Sequence, residues 1–402
     1  MRSKSISAKG ALALVFMLGL TAVAVLPASA QTFSVIHTFT GTSDGQDPIA
    51  GFVIDAAGNL YGTATGGGSH WKGLVFKLNS SGQQTVLYNF AGGTDGQTPE
   101  GRLVMDKTGN LYGTTNAGGV SNVGTVFQVS PNGKEKVLHV FSGGTDGGSP
   151  VAGLTIDTAG NLYGTTTAGG SSGNGTVFKL VKPTGTGGAW KEEVLYSFGT
   201  GTDGAVPIAG VVLDASGNLY GTTSAGGTYG YGTVFELKRS AHSYTESILY
   251  EFTLGLDGGI PYAGLVMDSK GNLYGAASDG GGGGDNGGGT VFELTRASGG
   301  WTFNVISALA GWGISGTFRD LLLEGNTIYA TTHCDGTYSA GTVYKLTQTG
   351  GTWTYTSLYI FTGGSDGLFS FSNLVSDKQG NLYGTTNEGG ADGSGTAFKI
   401  TP

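Results

Sequence analysis

Six Asp-Gly pairs recur along the chain, at Asp44-Gly45, Asp95-Gly96, Asp146-Gly147, Asp203-Gly204, Asp257-Gly258 and Asp366-Gly367. A ring of such carboxylates could hold Ca²⁺ or a substrate. Ca²⁺, however, takes about six to eight oxygen ligands, usually several carboxylates from one loop. Each loop here offers a single carboxylate, with Asp47 as an addition in the first. The pattern reads better as turn chemistry: Asp caps a tight turn and Gly supplies the conformation that the turn needs. Three Gly-x-Ser-x-Gly strings, at 41–45, 169–173 and 363–367, have the nucleophile-elbow spelling. That motif requires a strand running into a helix, and these strings fall between strands. The five histidines, His37, His70, His139, His242 and His333, show no His-x-x-x-His spacing and are read as occupying different places in their repeats, as surface or edge residues. The single Cys334 aligns with Ala117, Ala168 and Ala225 and fits a small-residue slot. No catalytic residue, metal or cofactor is expected from these motifs.

Departures from repetition carry more information. When the recurring segments are superposed, one column holds small residues, Gly51, Gly153, Gly210 and Gly264. The second copy places Arg102 there with Glu100 nearby, the sixth places Asp320 beside Arg319, and the seventh places Asn373. The sixth copy also replaces its Asp-Gly loop with Gly311-Trp312-Gly313. Charged groups aimed into a central channel could fix the polar end of a ligand at its mouth; they could equally pair with one another or with hydrated backbone. A second set, Trp71 (beside His70), Tyr229, Tyr231 and Tyr338, lies on Gly-rich loops. Aromatic rings on polar loops suit stacking on a sugar or a protein partner, and they also serve as loop packing. Both readings stand for each set.

The elements that would position these residues follow from the repeat. Gly-Asn recurs at 58–59, 109–110, 160–161, 217–218, 271–272 and 380–381, with a degenerate copy at Gly325-Asn326. The spacing is 51 to 57 residues. Each period holds four strand-like runs, which marks a propeller blade rather than a solenoid coil or a helical repeat. The runs are, in order, GLVMD-like (a), NLYGTT-like (b), GTVFKL-like (c) and an alternating run (d) that precedes the next a. Asp capping and a left-handed Gly explain the a-to-b turn. Residues 31–402 begin with a d run, Phe33–Phe39, and end with a c run, Thr396–Ile400. The expected fold is therefore all-β, a seven-bladed β-propeller of four-stranded blades, with the N-terminal strand completing the last blade and removing the open edge.

The block D-x-x-G-N-L-Y-G-T-T-x-x-G-G-x-x-x-x-G-T-V-F resembles the GloVer (Gloeo-Verruco) tandem repeat of secreted bacterial proteins, over about residues 31–402. Its a-b hairpin is also similar to hairpins of NHL-type propellers. The resemblance implies an exported, propeller-like protein and transfers no catalytic residue. Many members of that family carry a C-terminal sorting anchor, which this chain does not show.

Composition agrees. Gly is 79 of 402 residues and charged residues are 12%, a profile suited to short strands and tight turns. Tyr and Phe total 37, too many for a disordered chain. Arg2, Lys4 and Lys9, the apolar run Ala11–Leu26 and Ala28-Ser29-Ala30 read as a signal peptide over 1–30, giving a secreted or periplasmic protein. Removing those three cations takes the net charge from −8 to −11. An acidic chain without a basic stripe excludes nucleic acid as the expected partner. No membrane insertion is expected after cleavage, and the protein is expected to be a monomer. The function that fits best is a binding or scaffold module for an extracellular glycan or a cell-surface protein. The alternative is a propeller enzyme of lyase, lactonase or glycosidase type, with its site at the channel mouth around Arg102, Arg319 and Asp320.

Overall fold

The computed structural model describes residues 31–185, 187–241, 243–282, 287–310 and 316–401. The expected signal peptide over 1–30, His242 and Gly311-Trp312-Gly313 lie outside these residues. The described chain is built from strands and loops, with seven four-stranded antiparallel sheets. They are the seven blades of a β-propeller. Blade 2 is representative: strand a is Val104–Met105, b is Leu111–Thr115, c is Thr125–Val129 and d is Glu135–Val140. Strand a is only two residues long, and c is buried on both faces except for one position.

Blade 7 is assembled from both ends of this unit. Its strands a to c are Val375–Ser376, Leu382–Thr386 and Thr396–Thr401, and its outer strand is Thr32–Thr38. The pairing runs from Thr32 opposite Thr401 to Thr38 opposite Thr396, with a bulge between Val35 and His37. The ring closes as the order of runs implies.

The a-to-b turn is held by one carboxylate. Asp106 Oδ1 accepts the N–H groups of Thr108 and Asn110 at 2.9 and 3.0 Å. Its Oδ2 accepts the Asn110 amide at 2.9 Å and the Tyr112 hydroxyl at 3.0 Å. Gly109 sits at φ +83°, the left-handed region that a side chain would strain. Blade 6 shortens this turn to Gly325-Asn326 between Leu322–Glu324 and Thr327–Thr332.

The Gly inside strand b has a packing reason. A Cβ on Gly164 would lie 2.6 Å from the ring of Phe178. That Phe is buried and meets Phe141 edge to face at 5.2 Å, and Phe198 packs on Phe235 in the same way, also at 5.2 Å, at the next seam. The terminal Phe of a d strand thus reaches the c strand of the next blade, as in Phe39 to Phe76, Phe90 to Phe127, Phe141 to Phe178 and Phe361 to Phe398, with centroids 5.0 to 5.3 Å apart; blade 5 has Leu309 in that place.

A second seam is made of backbone. Asp47, Thr98, Ser149, Val206, Ile260 and Phe369 all have φ between 52° and 58°, rare for β-branched residues. Thr98 shows why. Its N–H donates to Lys72 of the preceding blade at 2.9 Å, and its carbonyl accepts from Asn116 of its own b-to-c loop at 3.0 Å. The others repeat this clamp, as Phe369 does with Ala340 and Asn387. Strain that recurs in six blades belongs to the fold.

Candidate functional site at the channel

The d-to-a and b-to-c loops share one face. They are tied by bridges such as Gln97 to Ala117, Gly148 to Ala168 and Leu368 to Glu388. The Asp-Gly carboxylates close these loops. Asp257 accepts the Thr253 N–H at 2.8 Å and the Tyr250 hydroxyl at 3.0 Å, and Asp366 does the same with Thr362 and Tyr359 at 2.8 and 3.0 Å. Each carboxylate is engaged by its own loop, as the turn reading expects. Among the described residues no group of three or more His, Cys, Asp or Glu is arranged to hold a metal ion. Ser43, Ser171 and Ser365 of the Gly-x-Ser-x-Gly strings sit in loops between strands.

Along the channel the small-residue column forms one layer. Arg102, Gly153, Gly210, Asp320 and Asn373 border both a wide cavity of 510 Å³ and a constriction holding only 10 Å³. The wide cavity lies toward the a-to-b turns, beside Thr155, Val212, Met267, Leu323 and Ser376. The constriction lies toward the loop face and adds Ala152, Ala209, Tyr262 and Arg319. The charged layer is thus a waist within the channel rather than its mouth. Strand a starts only after this layer, so the chain crosses the waist before it enters the sheet.

Asp320 Oδ1 accepts the Gly264 N–H at 2.9 Å, and the Asn373 amide donates to the Asp320 carbonyl at 3.5 Å. Glu100 accepts the Asn116 amide at 2.8 Å. Arg102 and Arg319 make no ion pair with a carboxylate within 4.0 Å among the described residues. Burial pushes the Arg319 guanidinium down, opposed by the charges of Glu100 and Asp320. Glu100 and Arg319 thus belong to one electrostatic neighbourhood with Asp320.

The loop aromatics are not brought together. Trp71, Tyr229 and Tyr338 are exposed at the b-to-c loops of blades 1, 4 and 6, and no ring contact joins them. Tyr231 packs beneath its loop against the core around Phe252.

A different aromatic group stands at the loop-face end of the channel, in blades 5 to 7. Tyr262 stacks on Phe318 at 5.1 Å, and Phe318 meets Phe371 at 5.2 Å. His333 packs against Phe371 and Phe369 at 4.3 and 4.6 Å. All five are half-buried, so the wall keeps a free face, and Tyr262 joins it to the waist beside Arg319. The signal for this wall was present two positions before the small-residue column. There the copies read Ile49, Glu100, Val151, Ile208, Tyr262, Phe318 and Phe371, and the change from aliphatic to aromatic falls in three successive blades.

The histidines need correction. His37 and His139 occupy the same place in their repeats, each two residues before the terminal Phe of a d strand, where other blades carry Tyr88, Tyr196, Tyr250 and Tyr359. They approach Asp44 and Asp146 at 3.7 and 3.9 Å. His333 is half-buried in the aromatic wall: burial holds its imidazole at about 4, and its Nδ1 is buried without a partner among the described residues. His70 is exposed.

The Gloeobacter/Verrucomicrobia repeat matches residues 19–212 and 186–321, well over half of the sequence. The chain belongs to the Gloeobacter/Verrucomicrobia repeat family. In this family member the blade that closes the ring lies beyond the matched stretch, and the aromatic wall spans its end. No curated protein matches the chain in sequence. Among solved structures, a polysaccharide lyase of family PL25, an ulvan lyase, is similar with a TM-score of 0.53 at 11% identity, covering 90% of this chain and 94% of that one. The structure of a PL25 ulvan lyase bound to -[GlcA(1-4)Rha3S]- gives 0.51 at 11% identity, with the same coverage. A protein from Bacteroides uniformis assigned provisionally as a 6-phosphogluconolactonase gives 0.50 at 14%, covering 84% and 89%. At these identities the likeness is one of fold.

Proposed function

We propose that this repeat-family propeller is exported by its leader and acts as a monomeric binding module for an extracellular glycan. The sugar docks at the loop-face end of the channel. The observation that carries this reading is the convergence of the Tyr262, Phe318 and Phe371 wall with Arg319. Aromatic faces cover the apolar face of a sugar ring, and a guanidinium without a carboxylate partner suits an acidic substituent. Glu100, which blade 2 carries in the same column as the wall, can accept sugar hydroxyls. The exposed Trp71, Tyr229 and Tyr338 make no ring contact with this wall among the described residues and are left out of the site.

The test is calorimetric titration of 31–402 with neutral and uronate-containing oligosaccharides. Saturable binding of the acidic sugars is expected. Phe318→Ala with Phe371→Ala is expected to weaken it by about tenfold or more, because each stacked ring contributes on the order of 1 kcal/mol beyond area burial. Absence of binding by any saccharide, or binding untouched by these substitutions, would sink the reading and shift weight to a cell-surface protein partner.

His333 favours a second reading, in which the same site eliminates rather than only binds. A neutral imidazole can take the C5 proton next to a uronate carboxylate while the C4–O bond breaks and a C4=C5 bond forms, and the imidazolium then returns that proton to the leaving oxygen. Ultraviolet absorbance of an unsaturated uronate that disappears in His333→Ala would support it; no absorbance change with any bound uronate would end it.

A further inference from the structure

The 510 Å³ cavity on the other side of the waist is separate from the glycan site. Its wall is aliphatic and half-buried, with Ile54, Val212, Val266, Met267, Leu322 and Leu323 contributing surface from four blades. Its volume lies within the range of small-molecule sites, about 300–1,000 Å³, and its lining combines these aliphatic side chains with the polar Arg102, Thr155, Asp320, Asn373 and Ser376.

The polar groups that line it differ in what they do. Thr155 donates to the Val211 carbonyl and Ser376 to the Glu324 carboxylate. Asp320 accepts from the Gly264 N–H and Asn373 donates to the Asp320 carbonyl. Each of these is spent on the fold. Arg102 is not: it borders both the bore and the constriction, and its guanidinium has neither a hydrogen bond nor an ion pair among the described residues. Of the two guanidiniums that line the waist, Arg319 lies in the field of Glu100 and Asp320, which leaves Arg102 as the group to receive an anion.

We propose that this bore is a second binding site, for an amphiphilic carboxylate whose anionic head pairs with Arg102 and whose apolar body fills the bore toward the a-to-b turns. Its ligand enters from the face opposite the glycan. An apolar body without a charge leaves Arg102 unsatisfied, and a small anion without a body leaves the aliphatic wall wet.

Octanoate is the probe, with octanol, acetate and chloride as controls, in titration calorimetry and thermal melting of 31–402. Octanoate is expected to bind saturably and to raise the melting temperature, with the controls much weaker. Arg102→Gln, which keeps most of the side-chain bulk, is expected to weaken octanoate about tenfold or more, the loss of one charge-assisted hydrogen bond. Val266→Trp, which fills the bore, is expected to abolish it. Each variant's own melting curve reports whether it is folded. Phe318→Ala with Phe371→Ala is expected to leave octanoate binding intact, so failure of the glycan reading and failure of this one are told apart. Equal binding of octanol would overturn the role of Arg102. Equal stabilisation by acetate or chloride would reduce the site to a simple anion site and overturn the role of the bore. No octanoate binding at all would overturn both.

Discussion

The Gly of strand b is the residue on which blade packing is most tightly set. In blade 3 a methyl group at Gly164 would meet Phe178 at 2.6 Å and Leu154 at 2.8 Å, both buried. Gly164→Ala is therefore expected to cost about 1–3 kcal/mol by overpacking, read as a lower denaturation midpoint with an unchanged slope. Blade 6 already carries Ala330 at this position, beside Tyr344 instead of Phe, and Tyr344 is held by a 2.8 Å hydrogen bond with Thr317. A midpoint unchanged in Gly164→Ala would mean that the Phe seam is looser than the geometry implies. The turn aspartates were readable at this scale because one side chain does local work on residues four and six positions along. The aromatic wall was not, since its members come from three blades and only their shared column reveals them. Trp71 and Tyr338 stood out by type, and type alone does not place residues around a ring.

At the scale of the strand, the d strands carry a repeated acidic position. Glu135, Glu192 and Glu246 face the Asp-Gly loops of the preceding connection at Asp95, Asp146 and Asp203, beside Tyr88, His139 and Tyr196. Burial and then the neighbouring Asp push each Glu up to about 7. Each also has a buried Oε1 without a partner among the described residues. Blade 1 has Gln84 in this place, and its amide donates to the Asp44 carbonyl at 2.8 Å. A protonated Glu can donate in the same way; a carboxylate cannot. The folded state therefore holds more protons than the unfolded state between the usual 4.5 and about 7. Stability from these groups is full below that window and is lost as pH rises through it. The triple variant Glu135→Gln, Glu192→Gln, Glu246→Gln is expected to melt close to the parent near the acid end of the window and increasingly above it at higher pH. His37 and His139, held low by burial, act with the opposite sign in both proteins, so the difference between the two curves is the readout. Parallel curves would refute the assignment. The strand order and its outer edge were legible from alternation and turn residues. The coupling of Glu135 to Asp95 was not, because their contact crosses a blade seam.

For the whole molecule, closure by the N-terminal strand was legible from the order of runs alone, since a d run first and a c run last leave one arrangement without an open edge. The waist was less so: the small-residue column announced crowding at the axis, but which side of it opened into a cavity depended on how short strand a is. Phe33 stacks on Tyr359 at 3.7 Å and Phe39 meets Phe76 at 5.2 Å, so the closing strand is packed against both neighbouring blades. Deleting residues 31–39 is expected to lower the melting temperature and to produce dimers or aggregates by pairing through the exposed Thr396–Thr401 edge. A monomer of unchanged melting temperature on size exclusion would show that the ring does not depend on this strand.

The register of that closing ladder also sets how the ring responds to mechanical load. Thr32 faces Thr401, so the two ends of the unit leave from the same end of one antiparallel pair. Tension applied between them pulls across the ladder and opens its hydrogen-bonded pairs one after another, like a zipper, instead of shearing them all at once. A tether through either end alone spares the ladder. A tether through both makes the closing strand the first part to yield, and the remaining six blades, each stitched within its own stretch of chain, stay folded behind it.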